Sequence, residues 1–344
     1  MYLPPPSYDF LLGLIDDTGI YEHSRFGVPR REHGYTVDDA ARALIVLCHA
    51  DAGDAIERAQ STMLAFLLAS ITPEGTLRNR LSFDRQWERE GDLGDAQGRG
   101  AWALAVAATS ASRADLRDAA RSALGDLPTP ASPHLRPLAY AALGANELWR
   151  WDPGDSQARR LAAPALQAMK TQRRPWPEER LTYANARIPA AMMAAGQVMG
   201  DSSLVEAGLE TLGWLAEIEM TGGHLSFTPV GGWSPGEPRP GFDQQPVEAA
   251  AMSDACERAW LITGEERWRQ SVLSCGAWLM GANDGGVELY DSTTGATRDG
   301  LTAEGVNANS GAESTISGVA ILQACQRMGG QSSPMTAARR ETSS

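Results

Sequence analysis

A recurring pair of helical segments of unlike character constrains this chain more than any other feature. One member of each pair is wet on one face. Trp268, Val272, Cys275 and Leu279 recur at i, i+4, i+7 and i+11, as do Val205, Leu209, Leu212 and Ala216. That spacing makes an apolar stripe on one side of a helix. The other member is apolar or small all round, as in Ala101–Ala108 and Ala190–Ala195. A helix without a polar face has to be enclosed by protein.

The segments run in order as Val37–Ala50 and Ala59–Ser70, Asp95–Thr109 and Leu116–Leu124, then Leu135–Trp149 and Gln157–Thr171. Leu181–Gly200 and Ser203–Glu219 follow, then Val247–Thr263 and Glu265–Gly281, and finally Ala312–Arg327. If the short run Tyr8–Ile15 packs beside Ala312–Arg327, a sixth pair is complete. The expected fold is therefore all-α, an (α/α)6 toroid of six inner and six outer helices with short β excursions in loops. The repeat, roughly 55 residues, exceeds the ~34 of a tetratricopeptide unit. An open α-solenoid is the structural alternative. Residues 1–328 are expected to form one barrel domain and 329–344 a flexible tail. His224–Thr228 and Val287–Tyr290 read as hairpin arms, and Gly222–Phe242 as a long ordered loop of the kind that often carries function.

Composition excludes several classes. With 43% hydrophobic and 21% charged residues the chain can fill a core. No apolar run reaches the ~18 residues of a membrane span, and the start, with its three prolines, carries no secretory pattern. The net charge of −13 disfavours nucleic acid, since the longest basic stretches are Arg30-Arg31 and Arg173-Arg174. Four scattered cysteines read as core thiols of a cytoplasmic protein. No His/Cys/Asp group has metal-ligand spacing, so neither a metal nor a cofactor is expected.

A toroid opens into a funnel lined by the loops that lead into its inner helices. In this chain those entrances are rich in carboxylates and aromatics. They carry Tyr35, Asp38 and Asp39; then Asp95, Arg99 and Trp102; then Trp176, Glu178, Tyr183, Asn185 and Arg187. Gln245 and Glu248 open the fifth inner helix, and Asp299, Asn307, Asn309 and Glu313 precede or open the sixth. The entrance near His134 is plain. Helix capping accounts for many first-turn acids, such as Asp201 or Asp152. It does not account for arginines three or four residues later, nor for the aromatic and amide neighbours. Carboxylates, amides and rings converging on one pocket suit a sugar, although Trp102 can equally serve the core.

With these residues the chain resembles the six-hairpin glycosidase superfamily. Within it, the chain is similar to a bacterial branch often labelled glycosyltransferase-associated and found near mannoside-processing genes. The motifs are Gly34-Tyr35-x-x-Asp38-Asp39-x-Ala41-Arg42, Asp95-x-x-Gly98-Arg99-x-x-Trp102 and Trp176-x-Glu178-x-x-Leu181-Thr182-Tyr183-x-Asn185. Gln245-Pro246-x-Glu248 and Asn307-x-Asn309-x-Gly311-Ala312-Glu313 complete the set. Ala40 and Ser310 replace the expected Asn and Gln, which would widen a pocket. The resemblance implies a carbohydrate substrate and hydrolysis with inversion by paired carboxylates. Glu178 or Glu248 would be the acid, and Asp38, Asp39 or Glu313 the base. Tyr35, Asp95, Arg99, Tyr183, Asn185, Arg187, Gln245, Asp299, Asn307 and Asn309 would bind hydroxyls. Trp102, Trp176 and Trp233 would be stacking platforms. One rival is a sugar epimerase or isomerase of the same architecture, using His33 and His224. Another is a non-catalytic sugar-binding protein that works beside a glycosyltransferase.

Overall fold

The computed structural model describes residues 3–88, 90–170 and 175–329. Arg173-Arg174 and the expected tail from residue 330 lie outside the described residues. Six inner helices form the ring: α2 (Val37–Cys48), α4 (Asp95–Ser110), α6 (Leu135–Trp151), α8 (Arg187–Met199), α10 (Pro246–Thr263) and α12 (Ala312–Gly329). Each packs on the next, and α12 packs back on α2, so the ring closes. Outside lie α3 (Asp54–Ser70), α5 (Ala114–Asp126), α7 (Ser156–Met169), α9 (Ser202–Ile218) and α11 (Glu266–Leu279), each against its inner partner. The sixth outer place is taken by the five-residue α1 (Asp9–Gly13), which packs on α12. This is the (α/α)6 toroid, not an open solenoid.

The inner ring is held tightly because its helices meet through small residues. Every residue from Ala96 to Ala107 of α4 is buried. A Cβ on Gly98 would lie 2.4 Å from the Pro137 carbonyl oxygen on α6, and one on Gly144 would lie 2.8 Å from Trp102 Cα. Backbone cannot yield locally at such contacts, so whole helices would have to separate. Gly98→Val should therefore cost about 3 kcal/mol, read as a lower urea midpoint at unchanged slope.

Among the described residues the loops hold four two-stranded antiparallel pairs. They are β1 (Ser24–Arg25) with β2 (Val28–Pro29), β3 (Tyr35–Thr36) with β4 (Arg80–Leu81), β5 (Met220–Thr221) with β6 (His224–Leu225), and β7 (Leu301–Thr302) with β8 (Gly305–Val306). Three of them are hairpins, and one, β3 with β4, is joined across α2 and α3. The arm expected at His224–Thr228 thus ends at Leu225, because Ser226 onward bonds elsewhere: Phe227 N–H donates to Gln244 Oε1 and Thr228 N–H to Glu219. Val287–Tyr290 makes only isolated bridges. The loop 222–242 is ordered by Arg239, which donates to the carbonyls of Ile218 and Ser226.

Two helix starts differ from the periodicity. Helix α3 begins at Asp54 instead of Ala59, and its first turn already buries Ile56, between the exposed Asp54 and the half-buried Glu57. Helix α8 begins at Arg187 instead of Leu181. Residues 182–186 instead make a compact turn, with Ala184 at φ +47° and Asn185 Oδ1 accepting from Thr182 N–H at 2.9 Å. Among the described residues no helix is long and apolar enough to cross a membrane. All four cysteines are free and buried.

Candidate functional site

The first turns of the inner helices do converge on one mouth of the toroid. A cavity of about 270 Å³ there is lined by Asp38, Asp39 and Arg42 of α2, by Gln245 and Asp299, and by Glu313 of α12. Glu22, His23, Asn79 and Arg80 from the loops complete its wall. Helix α2 is started by Thr36, whose Oγ1 accepts from Asp39 N–H at 3.2 Å. That cap sets Asp38 and Asp39 in the first turn, where the helix dipole favours negative charge.

One guanidinium joins two carboxylates across neighbouring helices. Arg42 Nη1 donates to Asp39 Oδ1 at 2.8 Å, and Arg42 Nη2 meets Glu313 Oε2 at 2.7 Å. Asp39 is buried, whereas the Glu313 side chain is 38% exposed. Burial pushes the Asp39 carboxyl up to about 6 against the pull of Arg42, and the Glu313 charge adds to the rise. Asp38 pairs instead with Arg99, Oδ1 to Nε at 3.0 Å, and accepts from Asn79 Nδ2 at 3.2 Å.

The network continues around the mouth. Arg99 Nη2 lies 3.5 Å from Asp95, which accepts the Tyr183 hydroxyl at 2.9 Å. Burial and the adjacent Asp95 charge raise the pKa of that phenol. Tyr183 is 45% exposed, with Arg136 over its ring at 4.5 Å. Arg136 is the key unforeseen residue. It stands at the entrance that looks plain in the sequence, and it donates from Nη1 to both Glu178 oxygens at 2.8 Å. Its Nε donates to the Tyr183 carbonyl at 2.6 Å.

The two acids expected to donate a proton sit outside the cavity lining. Glu178 is clamped by Arg136. Glu248 is buried and accepts from the backbone N–H groups of Ala184 and Asn185 and from Asn185 Nδ2. It therefore moulds the 182–186 turn. Burial, helped by the Glu219 charge, pushes the Glu248 carboxyl up to about 7. Glu219, which accepts from Thr228 N–H and Oγ1, is likewise pushed up to about 7 by burial. Both groups hold protons in the folded chain that an unfolded chain has released, between about pH 4.5 and 7. Their contribution to stability is full below that window and lost as pH rises through it. The thermal midpoint should thus fall between pH 5 and pH 8, and Glu219→Gln should flatten that fall.

The remaining expected residues are dispersed. Tyr35 is buried, stacked on Tyr21 at 5.1 Å and donating its hydroxyl to Asp16 at 2.7 Å, so it is a core contact. Trp176 is buried against Trp214. Trp233 pairs its backbone with Leu181 and lies under Arg239, at 5.6 Å. Asn185 is wholly buried in its turn. Asn307 and Asn309 brace loops: Asn307 Oδ1 accepts from Asn309 N–H, and Asn309 Oδ1 from Phe26 N–H. Asp299 accepts from Gly311 N–H before α12. Trp102 and Arg187 line a larger cavity of about 440 Å³ that opens at the C-terminal ends of the inner helices and reaches inward as far as the start of α8. There Arg187 lies over the Trp102 ring at 4.8 Å. His33 packs edge-on against His23 at 5.0 Å, while His224 Nε2 bonds Asp284 at 2.8 Å.

The mouth also has a bidentate Glu22–Arg80 pair, at 2.8 and 2.7 Å, that sequence reading missed. Only spatial pairing reveals it, since Glu22 precedes β1 and Arg80 lies on β4, far along the chain.

No family model and no curated protein matches the chain. Solved structures do match. A sugar epimerase from a ruminal bacterium superposes with a TM-score of 0.71 at 13% identity, over 94% of this chain and 96% of that one. Cellobiose 2-epimerase from Spirochaeta thermophila gives 0.67 at 15% identity over 93% of each chain. The cellulase Cel9M of C. cellulolyticium, in complex with cellobiose, gives 0.61 at 10% identity, over 91% of this chain and 88% of that one. The chain thus has the six-hairpin (α/α)6 fold, which solved structures place in both epimerases and glycosidases.

Proposed function

We propose that the chain is a carbohydrate-active enzyme, and specifically a glycoside hydrolase working with inversion at the mouth where α2 and α12 begin. The observation that carries this reading is the set Asp38, Asp39 and Glu313 on one cavity, with Arg42 bridging Asp39 to Glu313 and Arg99 holding Asp38. Counting Asp95 beside Arg99, four carboxylates face two guanidiniums, so the set carries excess negative charge and favours holding a proton. In the free protein that proton resides on Asp39, near pH 6. A sugar seated on Glu313 strips its remaining water and draws the proton there. Glu313 then protonates the leaving glycosidic oxygen. Asp38, oriented by Arg99, takes a proton from the water that attacks the anomeric carbon from the opposite face. Proton and charge balance: one carboxyl loses a proton and one carboxylate gains one. Asp95, Tyr183, Gln245, Asp299 and Arg80 would hold sugar hydroxyls around this centre.

This reading moves the acid from Glu178 or Glu248 to Glu313, because both former candidates are spent on structure. It predicts that kcat/KM falls as pH rises above about 6, where the set loses its proton. A pH series on a turned-over substrate checks this.

The epimerase alternative fares less well at this mouth. His23 lines the cavity and His33 packs against it, but His224 is engaged by Asp284. The first turns of α2, α4, α8, α10 and α12 contain no histidine. The deciding assay is chromatography of manno-, gluco- and galacto-configured oligosaccharides after incubation with the protein. Cleavage supports the proposal. Interconversion of epimers without cleavage overturns it in favour of a histidine mechanism.

A further inference from the structure

We infer that the cavity at the C-terminal end of the inner ring is a second ligand site, one that takes a neutral mono- or disaccharide. It lies at the end of the barrel opposite the carboxylate mouth. Its rim comes from last-turn residues such as Ser110, Trp151, Leu261 and Met328, and it extends inward to Trp102, Ala250 and Arg187. At about 440 Å³ it is larger than the mouth cavity and falls in the size range of small-molecule sites.

The buried charges on its wall are matched in pairs, and Arg150, at the exposed rim, is the one lining arginine without an ion pair among the described residues. Arg187 pairs with Asp254, and Arg258 pairs with Asp254 at 3.2 Å and with Glu147 at 2.7 Å. Arg327 grips both Glu257 oxygens, at 2.6 and 2.7 Å. A charged group seated inside, past the rim, would have to break one of these pairs, and leaving a buried partner uncompensated is costly. A hydroxylated neutral ligand would not, because hydroxyls both accept from guanidinium N–H groups and donate to spare carboxylate lone pairs.

One donor is conspicuously unused. Trp102 lines the cavity at 7% exposure, and its indole N–H has no acceptor among the described residues. A buried N–H without a partner is uncommon, and a bound acceptor would resolve it. At the rim the opposite feature occurs. Trp151 is 69% exposed and Leu261 42% exposed, both on the cavity wall. A single exposed apolar residue means little. An open indole face beside a cavity of matched donors and acceptors offers a platform for the C–H face of a pyranose, with its hydroxyls turned inward.

The test is a calorimetric titration of cellobiose, mannobiose and maltose into the full chain and three variants. Trp151→Ser removes the exposed platform at a position where folding has little to lose. Ala320→Phe, also on this wall, fills the cavity. Asp38→Asn disables the other mouth. The expected result is a saturable equivalent for at least one disaccharide that weakens at least tenfold in Trp151→Ser and in Ala320→Phe, yet persists in Asp38→Asn. Intrinsic fluorescence gives a second readout, since no tryptophan lines the mouth cavity. Binding at the rear should shift emission, and in Trp151→Ser the remaining shift should need at least tenfold more sugar. The inference is overturned if neither variant weakens sugar binding, if Asp38→Asn removes all of it, or if galacturonate binds tighter than the neutral sugars. A chain that keeps the Trp151-dependent equivalent but turns over no glycoside would sink the hydrolase reading and leave this one standing.

Discussion

Glu313→Gln should lose between about 10² and 10⁴ of kcat while unfolding within a degree or two of the parent chain. The amide keeps the size of the side chain, and its oxygen can still accept from Arg42 Nη2. What it lacks is the ability to deliver a proton. The residue is partly exposed at the start of α12, so little packing depends on it. Asp38→Asn should show a similar loss for the complementary reason, since an amide cannot take a proton from water. Glu178→Gln is the informative contrast. Its carboxylate answers Arg136 outside the cavity lining, so its effect should fall on stability and on KM more than on kcat. If Glu178→Gln were the inactive variant and Glu313→Gln the active one, the assignment of the acid would be reversed.

Glu248→Ala should behave oppositely, losing stability first. Its two oxygens answer three donors from one turn: the N–H groups of Ala184 and Asn185 and the Asn185 amide. All lie in buried surroundings. Each donor left without a partner costs about 1–3 kcal/mol, so a total of roughly 3 kcal/mol or more is expected. For a chain of this length that displaces the thermal midpoint by several degrees. The turn would also be free to relax, and with it Tyr183, whose carbonyl is held by Arg136. Reduced denaturant midpoint together with weakened sugar binding is the expected signature. A folded, fully stable Glu248→Ala protein would contradict the role given to this residue.

These two residues show how far sequence alone reaches. The run Ala101–Ala108 and the spaced Trp268, Val272, Cys275 and Leu279 announce inner and outer helices, because burial on a helix obeys a short local period. The element order, the ring closure and the mouth follow from that. The jobs of the acids do not. Glu248 sits in a first turn just as Glu313 does, and nothing nearby in the chain distinguishes them. The difference lies in whether a turn more than sixty residues away folds over the carboxylate. Arg136 is invisible for the same reason, since its partners Glu178, Tyr183 and Asn185 come from another entrance. Trp102 is one helical turn from Arg99, yet the two residues serve different ends of the barrel. Local pattern says which face of a helix is buried, not how far down the axis a side chain reaches.

The closure of the ring by α12 against α2 has a temporal side. Asp38 and Glu313 stand on helices adjacent in space and separated by nearly all the intervening chain. Every other inner helix docks on one made shortly before it. The α2–α12 seam is the single inner contact of very long sequence separation, and such contacts form late because the loop they close is long. During synthesis the first five inner helices can stack in order as an open arc whose mouth lacks one wall. The carboxylate set acquires its third member, and Arg42 its second partner, only when that arc becomes a circle. A nascent chain therefore has no complete mouth at any earlier moment, and the carboxylate set is assembled in one step with the last helix.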